Sequence, residues 1–125
     1  MIEGRKGIFI APACKESDCF VLRRAFGTEK KAKRAVVYAT ALGLYFLELN
    51  GVRVGDARFT PGWTNYRVRL QVQAYDVTKK LRQGENEIRQ TVGRGWYSGR
   101  FGFRGQDSLY GERSAGWVVL EIEYE

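Results

Sequence analysis

Two glycine-rich stretches concentrate the side chains of this sequence that could do chemistry. Residues 50–66, NGVRVGDARFTPGWTNY, carry Asn50, Asp56, Trp63 and Asn65, and residues 93–103, GRGWYSGRFGF, carry Trp96, Tyr97 and Arg100. A flat aromatic ring covers the C–H face of a pyranose, and planar amides, carboxylates and guanidinium forks match its rim of hydroxyls. Those residues are therefore the candidate carbohydrate-binding set. The opposing structural reading makes Trp63 and Trp96 plugs at the ends of an apolar core.

Catalysis is harder to find. The chain has no His, which excludes an imidazole base, Ser-His and Cys-His nucleophiles and His-ligated metal sites. Its 14 acidic residues are scattered over expected strands and turns without a paired-carboxylate motif, so no catalytic residue is assigned. Two cysteines, Cys14 and Cys19, are too few for a disulfide framework; a turn at residues 16–18 would have to bring them together, and they are expected to be unbonded to each other.

The elements that must position these residues are strands. At 125 residues the chain suits a single domain, 1–125, with one core. Ile2-Glu3-Gly4-Arg5 spells a recognition tetrapeptide used for tag removal, so residues 1–5 carry no weight in the reading. With 3 Trp, 7 Tyr, 7 Phe and 15 Gly against 2 Pro, composition favours strands and tight turns. Apolar positions alternate rather than recur at helical spacing, which predicts strands over 19–26, 35–41, 44–49, 52–54, 70–77, 87–92 and 117–124. Asn50-Gly51 predicts a type I′ hairpin turn, residues 78–81 at most one helical turn, and residues 93–111 a long loop with aromatic anchors. Short strands at this spacing make an all-β, antiparallel β-sandwich.

The net charge of +7 is concentrated toward the N-terminus, most densely at Lys30, Lys31, Lys33 and Arg34, read as a solvated turn. The basic and aromatic segments do not coincide, which argues against the basic groove with stacking platforms of a nucleic-acid binder. No apolar run approaches the ~20 residues that span a bilayer, and no leader pattern is evident, so neither nucleic acid nor membrane is an expected partner and a cytoplasmic location is favoured.

The same residues carry a resemblance. The segment LGLYFLELNGVRVGDARFTPGWTNYRVRLQVQAYDVTKKLRQGENEI, then GRGWYSGRFGF and YGERSAGWVVLEIEYE, resembles the N-terminal β-sandwich domain of bacterial α-L-rhamnosidases, glycoside hydrolase family 78, over about residues 20–125. Its NG, DVT and GEN elements are similar also to sugar-binding domains of β-galactosidase-like enzymes. The resemblance implies a galactose-binding-like jelly roll. It also implies a parent hydrolase that removes terminal α-L-rhamnosyl residues with inversion, using acids of a separate C-terminal (α/α) toroid. The chain is then a non-catalytic accessory domain, inactive alone, whose partners are its own catalytic domain and a rhamnose-containing glycan. Some related domains bind rhamnose through calcium; here Asp56 is the one weak ligand candidate, supported at most by Asn50, Asn65, Asp107 and Glu112, and no cofactor is expected. The alternative is a free-standing lectin-like or protein-interaction sandwich.

Overall fold

The computed structural model describes residues 7–13, 18–100 and 110–125. Seven strands run as β1 (Cys19–Thr28), β2 (Ala32–Leu42), β3 (Leu44–Leu49), β4 (Val52–Val54), β5 (Gln73–Asp76), β6 (Gly84–Gly93) and β7 (Ala115–Tyr124). A 3₁₀ turn, Thr78–Lys80, follows β5, and a one-turn helix, α1 (Gly95–Ser98), follows β6. Two antiparallel sheets form, one of order β1-β6-β3-β4 and one of order β5-β2-β7. The expected β-sandwich is thus present. Alternation in the sequence becomes the two faces of each sheet: Ala35, Val37, Ala39 and Ala41 of β2 and Tyr45, Leu47 and Leu49 of β3 all point into the shared core and are buried.

The small β2 residues have a packing reason. Their cross-strand partners on β7 are Ile122, Leu120, Val118 and Gly116, so the bulk of this layer comes from β7 and from the facing aromatics and leucines. Trp117 and Val119 take the opposite face of β7. There the segment 7–13 lies alongside, joined by reciprocal Ile10–Gly116 backbone bonds of 2.9 Å, and Trp117 is 2% exposed.

The basic turn after β1 does more than join two neighbours. It carries the chain from one sheet to the other, because β1 pairs with β6 and β2 with β5 and β7. Lys33 reaches Glu123 at 3.1 Å, and the Thr28 hydroxyl donates to Arg82 O at 2.7 Å. Asn50 (φ 52°) and Gly51 (φ 78°) both sit at positive φ between the paired Leu49 and Val52, the type I′ geometry expected from their types.

Two carboxylates are titration-sensitive parts of this frame. Asp76 accepts from the Thr78 hydroxyl at 2.7 Å and the Thr78 amide at 2.9 Å, and those bonds, with the charges of Arg34 and Lys79, hold its carboxyl below the ordinary value. Arg89 and Arg23 do the same for Glu87, at 2.5 and 2.6 Å. A carboxyl depressed in the folded state stabilises above its ordinary value and ceases to do so as pH falls through the folded value. The Asp76→Asn variant should therefore melt below the parent at pH 7, and the gap should close as pH falls below the ordinary Asp value of 3.8. With no His in the chain, the difference should stay flat from pH 5 to 8, which thermal melts by circular dichroism would show.

Candidate functional site

One end of the sandwich collects the loops of residues 55–72 and 94–100 together with residues 110–114. Strand β3 begins at this end, and Tyr45 ties the first loop to it. The Tyr45 amide donates to Thr60 O at 2.8 Å, and the Thr60 hydroxyl donates back to Tyr45 O at 2.6 Å. The buried Tyr45 phenol donates to Gln73 Oε1 at 2.7 Å, and Gln73 Nε2 donates to Pro61 O at 3.3 Å. The Tyr45 hydroxyl also reaches Ala39 O at 3.3 Å and lies 3.2 Å from the Tyr75 hydroxyl. Burial above all, then the Tyr75 hydroxyl, raises the Tyr45 pKa far beyond its ordinary value, so the phenol remains a donor at every physiological pH.

On that anchor the aromatics assemble in two groups. Trp63 stacks on Trp96 with centroids 5.6 Å apart and planes 7° from parallel, and Phe59 meets Trp96 at 6.1 Å and 53°. Tyr66, Tyr97 and Tyr110 form the second group, with edge contacts of Tyr66 to Tyr97 at 5.5 Å and to Tyr110 at 4.9 Å. Trp96 and Tyr97, adjacent on α1, join the two groups. Helix α1 can sit so close under β3 because Gly95 has φ 53° and a Cβ there would stand 2.5 Å from Leu44 Cγ.

Trp63 is 54% exposed and Phe59 69%. The pair Trp63 and Trp96 is therefore a surface stack and not a core plug; the buried tryptophan is Trp117, on the outer face of β7 against the segment 7–13. Asp56 and Asn65 are also exposed, on the same loop as Trp63. Asn65 shapes that loop: its Oδ1 accepts from the Arg67 amide at 3.2 Å, and its carbonyl from the Val68 and Arg69 amides at 2.9 Å. Arg100 lies exposed just beyond α1. The structure thus brings Asp56, Trp63, Asn65, Trp96, Tyr97 and Arg100 to one end of the molecule.

Asn50 is elsewhere. It turns the hairpin at the far end of β3, about 20 Å of strand from Leu44 at ~3.4 Å per residue. Its amide is consumed there: Oδ1 accepts from the Glu87 amide at 2.9 Å, and Nδ2 donates to Asn86 Oδ1 at 2.8 Å and to Lys80 O at 3.1 Å. Asn86, 3% exposed, completes the set by bonding both ways to Arg82 at 2.8 Å. The NG and GEN elements are one hydrogen-bonded staple. Phe59, Tyr66 and Tyr110, absent from the candidate set, belong to the cluster; the FTPGW spacing, which places two aromatics about one turn, is the sequence signal for Phe59.

A Ca²⁺ ion takes about six to eight oxygens; Asp56 offers one carboxylate, Asn65 Oδ1 is already in use, and Asn50 is at the other end. Among the described residues no three His, Cys, Asp or Glu side chains gather where they could hold a metal ion. Cys14, Phe101, Phe103 and Asp107 lie outside the described residues, and with Cys14 so does the Cys14–Cys19 pairing; Cys19 is exposed.

The chain is a small antiparallel β-sandwich whose aromatic residues gather on loops at one end. Residues 30–125 match the model of the α-L-rhamnosidase N-terminal domain family, and the chain belongs to that family. An α-L-rhamnosidase of Streptomyces avermitilis is 53% identical over 95 residues, 76% of this chain and 9% of that protein. One of Formosa agariphila is 38% identical over 102 residues, 82% of this chain and 11% of that protein. Among solved structures, native α-L-rhamnosidase from Aspergillus terreus superposes with TM-score 0.85 at 38% identity, over 91% of this chain and 14% of its own. The Streptomyces avermitilis enzyme complexed with L-rhamnose gives 0.79 at 50%, over 83% and 10%. The chain therefore spans about a tenth of the length of these curated relatives.

The two ends should respond differently to mutation. Asn50→Ala should lower stability by about 1–3 kcal/mol, the cost of stranding buried partners. Trp63→Ala, which loses a half-exposed stack, should cost about 0.5–1.5 kcal/mol, against about 3–5 kcal/mol for Trp117→Ala. Urea unfolding of the three variants checks the order.

Proposed function

We propose that this chain is the non-catalytic accessory β-sandwich of an α-L-rhamnosidase, and that its aromatic end holds a terminal rhamnose-type sugar. The observation that carries the reading is Trp63, an indole with one face laid on Trp96 and more than half its surface exposed, on the loop that also exposes Asp56 and Asn65. A terminal 6-deoxyhexose presents an apolar methyl and C–H face beside three hydroxyls. The indole covers the first, and the Asp56 carboxylate accepts hydrogen bonds from the second. The Asn65 amide nitrogen donates to a ring or hydroxyl oxygen, and Arg100 supplies further donors. The L-rhamnose in the Streptomyces avermitilis complex is consistent with this substrate class for the whole enzyme.

Packing on a catalytic domain is the second reading. Phe59 and Val68, 69% and 83% exposed, extend the apolar surface beyond what one sugar ring covers, and such a surface suits contact with another domain. Calcium has no part in either role as proposed.

Titration calorimetry with L-rhamnose separates the two. About eleven heavy atoms competing with water for each hydroxyl set a dissociation constant in the millimolar to high-micromolar range. Asp56→Ala and Trp63→Ala should each abolish the signal in folded protein, Asn50→Ala should keep it, and EDTA should leave it unchanged. No heat or chemical-shift change at tens of millimolar sugar would leave packing as the role. In parallel, the chain should not hydrolyse an aryl α-L-rhamnoside, since inversion needs an acid and a base about 6.5–9.5 Å apart; turnover removed by changing one acidic residue here would overturn the non-catalytic assignment.

A further inference from the structure

The sandwich is open along one side, where β1 edges one sheet and β7 the other. The gap between them is a cleft of about 520 Å³, within the ~300–1,000 Å³ typical of small-molecule sites. Leu22, Ile88, Val118, Leu120 and Ile122 make it apolar. Three polar side chains break that lining, Arg23, Arg24 and Gln90. Gln90, 2% exposed, donates from Nε2 to Thr40 O at 2.9 Å, while its Oε1 is buried without a hydrogen-bond partner. Arg24 stands in the inward-facing series of β1, between Leu22 and Phe26 and opposite Ile88, and none of the described residues lining the cleft is acidic.

A buried acceptor without a donor is a costly arrangement that proteins rarely retain. Arg24 is exposed, on the rim between the half-buried Leu22 and Phe26. Room is kept for the Gln90 amide: a Cβ on Gly116 would stand 2.2 Å from Oε1. Together these features describe a slot with an acceptor at its floor, apolar walls and a cation on its rim.

We propose that this cleft binds a flat aromatic monocarboxylate bearing a hydroxyl at its far end, a hydroxycinnamate-type acid. With the Leu22 side chain, which packs beside Gln90 Oε1 at Gly116, displaced toward the rim, the phenolic O–H donates to Gln90 Oε1, the ring and alkene lie between Leu22 and Ile88 on one side and Val118 and Leu120 on the other, and the carboxylate accepts from the Arg24 guanidinium. Simple alkanoates satisfy only the rim, and apolar phenols only the floor. The cleft is lined by different residues from the aromatic loop end, and the proposal does not depend on sugar binding there.

The test is calorimetric or NMR titration of the 125-residue chain with 4-hydroxycinnamate, cinnamate and 4-hydroxycinnamamide. The first should saturate with a dissociation constant at or below about 1 mM, and removing either the hydroxyl or the charge should weaken binding about fivefold or more. Arg24→Leu, a substitution on an exposed side chain, should bring 4-hydroxycinnamate down to the level of the amide with the melting temperature preserved. Gln90→Leu should erase the preference for the hydroxyl; if that variant does not fold, the ligand series still decides. No saturation by about 10 mM, equal binding of all three ligands, or an Arg24→Leu variant that binds as the parent does would each overturn the proposal.

Discussion

Everything proposed for the loop end depends on the Tyr45 phenol. A loop of some eighteen residues between β4 and β5 has no ladder of its own to hold it, and its backbone groups must be satisfied by what it lands on. Tyr45 provides the landing through both its backbone and its side chain, bonding Thr60 directly and Pro61 through Gln73. Because the ring is 5% exposed, these bonds form away from competing water, where an unmade one is expensive. The sheet core thus fixes where Trp63 stands, and α1, seated on Leu44, fixes where Trp96 meets it. An exposed ring held in one orientation is what a weak sugar ligand requires, since little ordering remains to be done on binding.

The architecture separates its chemistries by end. Strand β2 runs from the basic turn to the aromatic loops, so Lys30, Lys31, Lys33 and Arg34 are a strand's length from Trp63. Part of that charge is internal to the fold, in the Lys33–Glu123 pair and in the Arg34 and Lys79 charges that depress Asp76. The YDVT element has the same structural character: Thr78 satisfies Asp76 on one side and the Ala35 amide, at 2.9 Å, on the other.

Most strands were legible because alternation reports burial directly. Residues 44–49 and 52–54 match β3 and β4, and the hairpin between them follows from two residues that tolerate positive φ. Alternation says which face is buried and nothing about which strand lies alongside, so the passage of the chain from one sheet to the other after β1 was not readable. The expected strand over 70–77 shortens to Gln73–Asp76, since Gln71 O is taken by the Thr40 hydroxyl at 2.6 Å instead of a ladder. Asn50 shows the limit for sites. Its type suited a sugar, but its partner Asn86 lies 36 residues away, and local sequence cannot distinguish an amide offered to a ligand from one already spent. Trp63 and Trp117 show the same limit for burial, being alike in type and opposite in exposure. Arg24 and Gln90 gave no motif at all; only the meeting of two strands makes them neighbours.

The account rests most heavily on the indole of Trp63 being the surface that meets the sugar. Amide and indole chemical-shift mapping during an L-rhamnose titration reads that contact residue by residue. The predicted result is perturbation of the Trp63 indole N–H and of amides in residues 56–66 and 96–100, with the Asn50 and Asn86 side-chain amides unmoved. Perturbations confined to the basic end or to the β1 edge, with Trp63 silent, would contradict it.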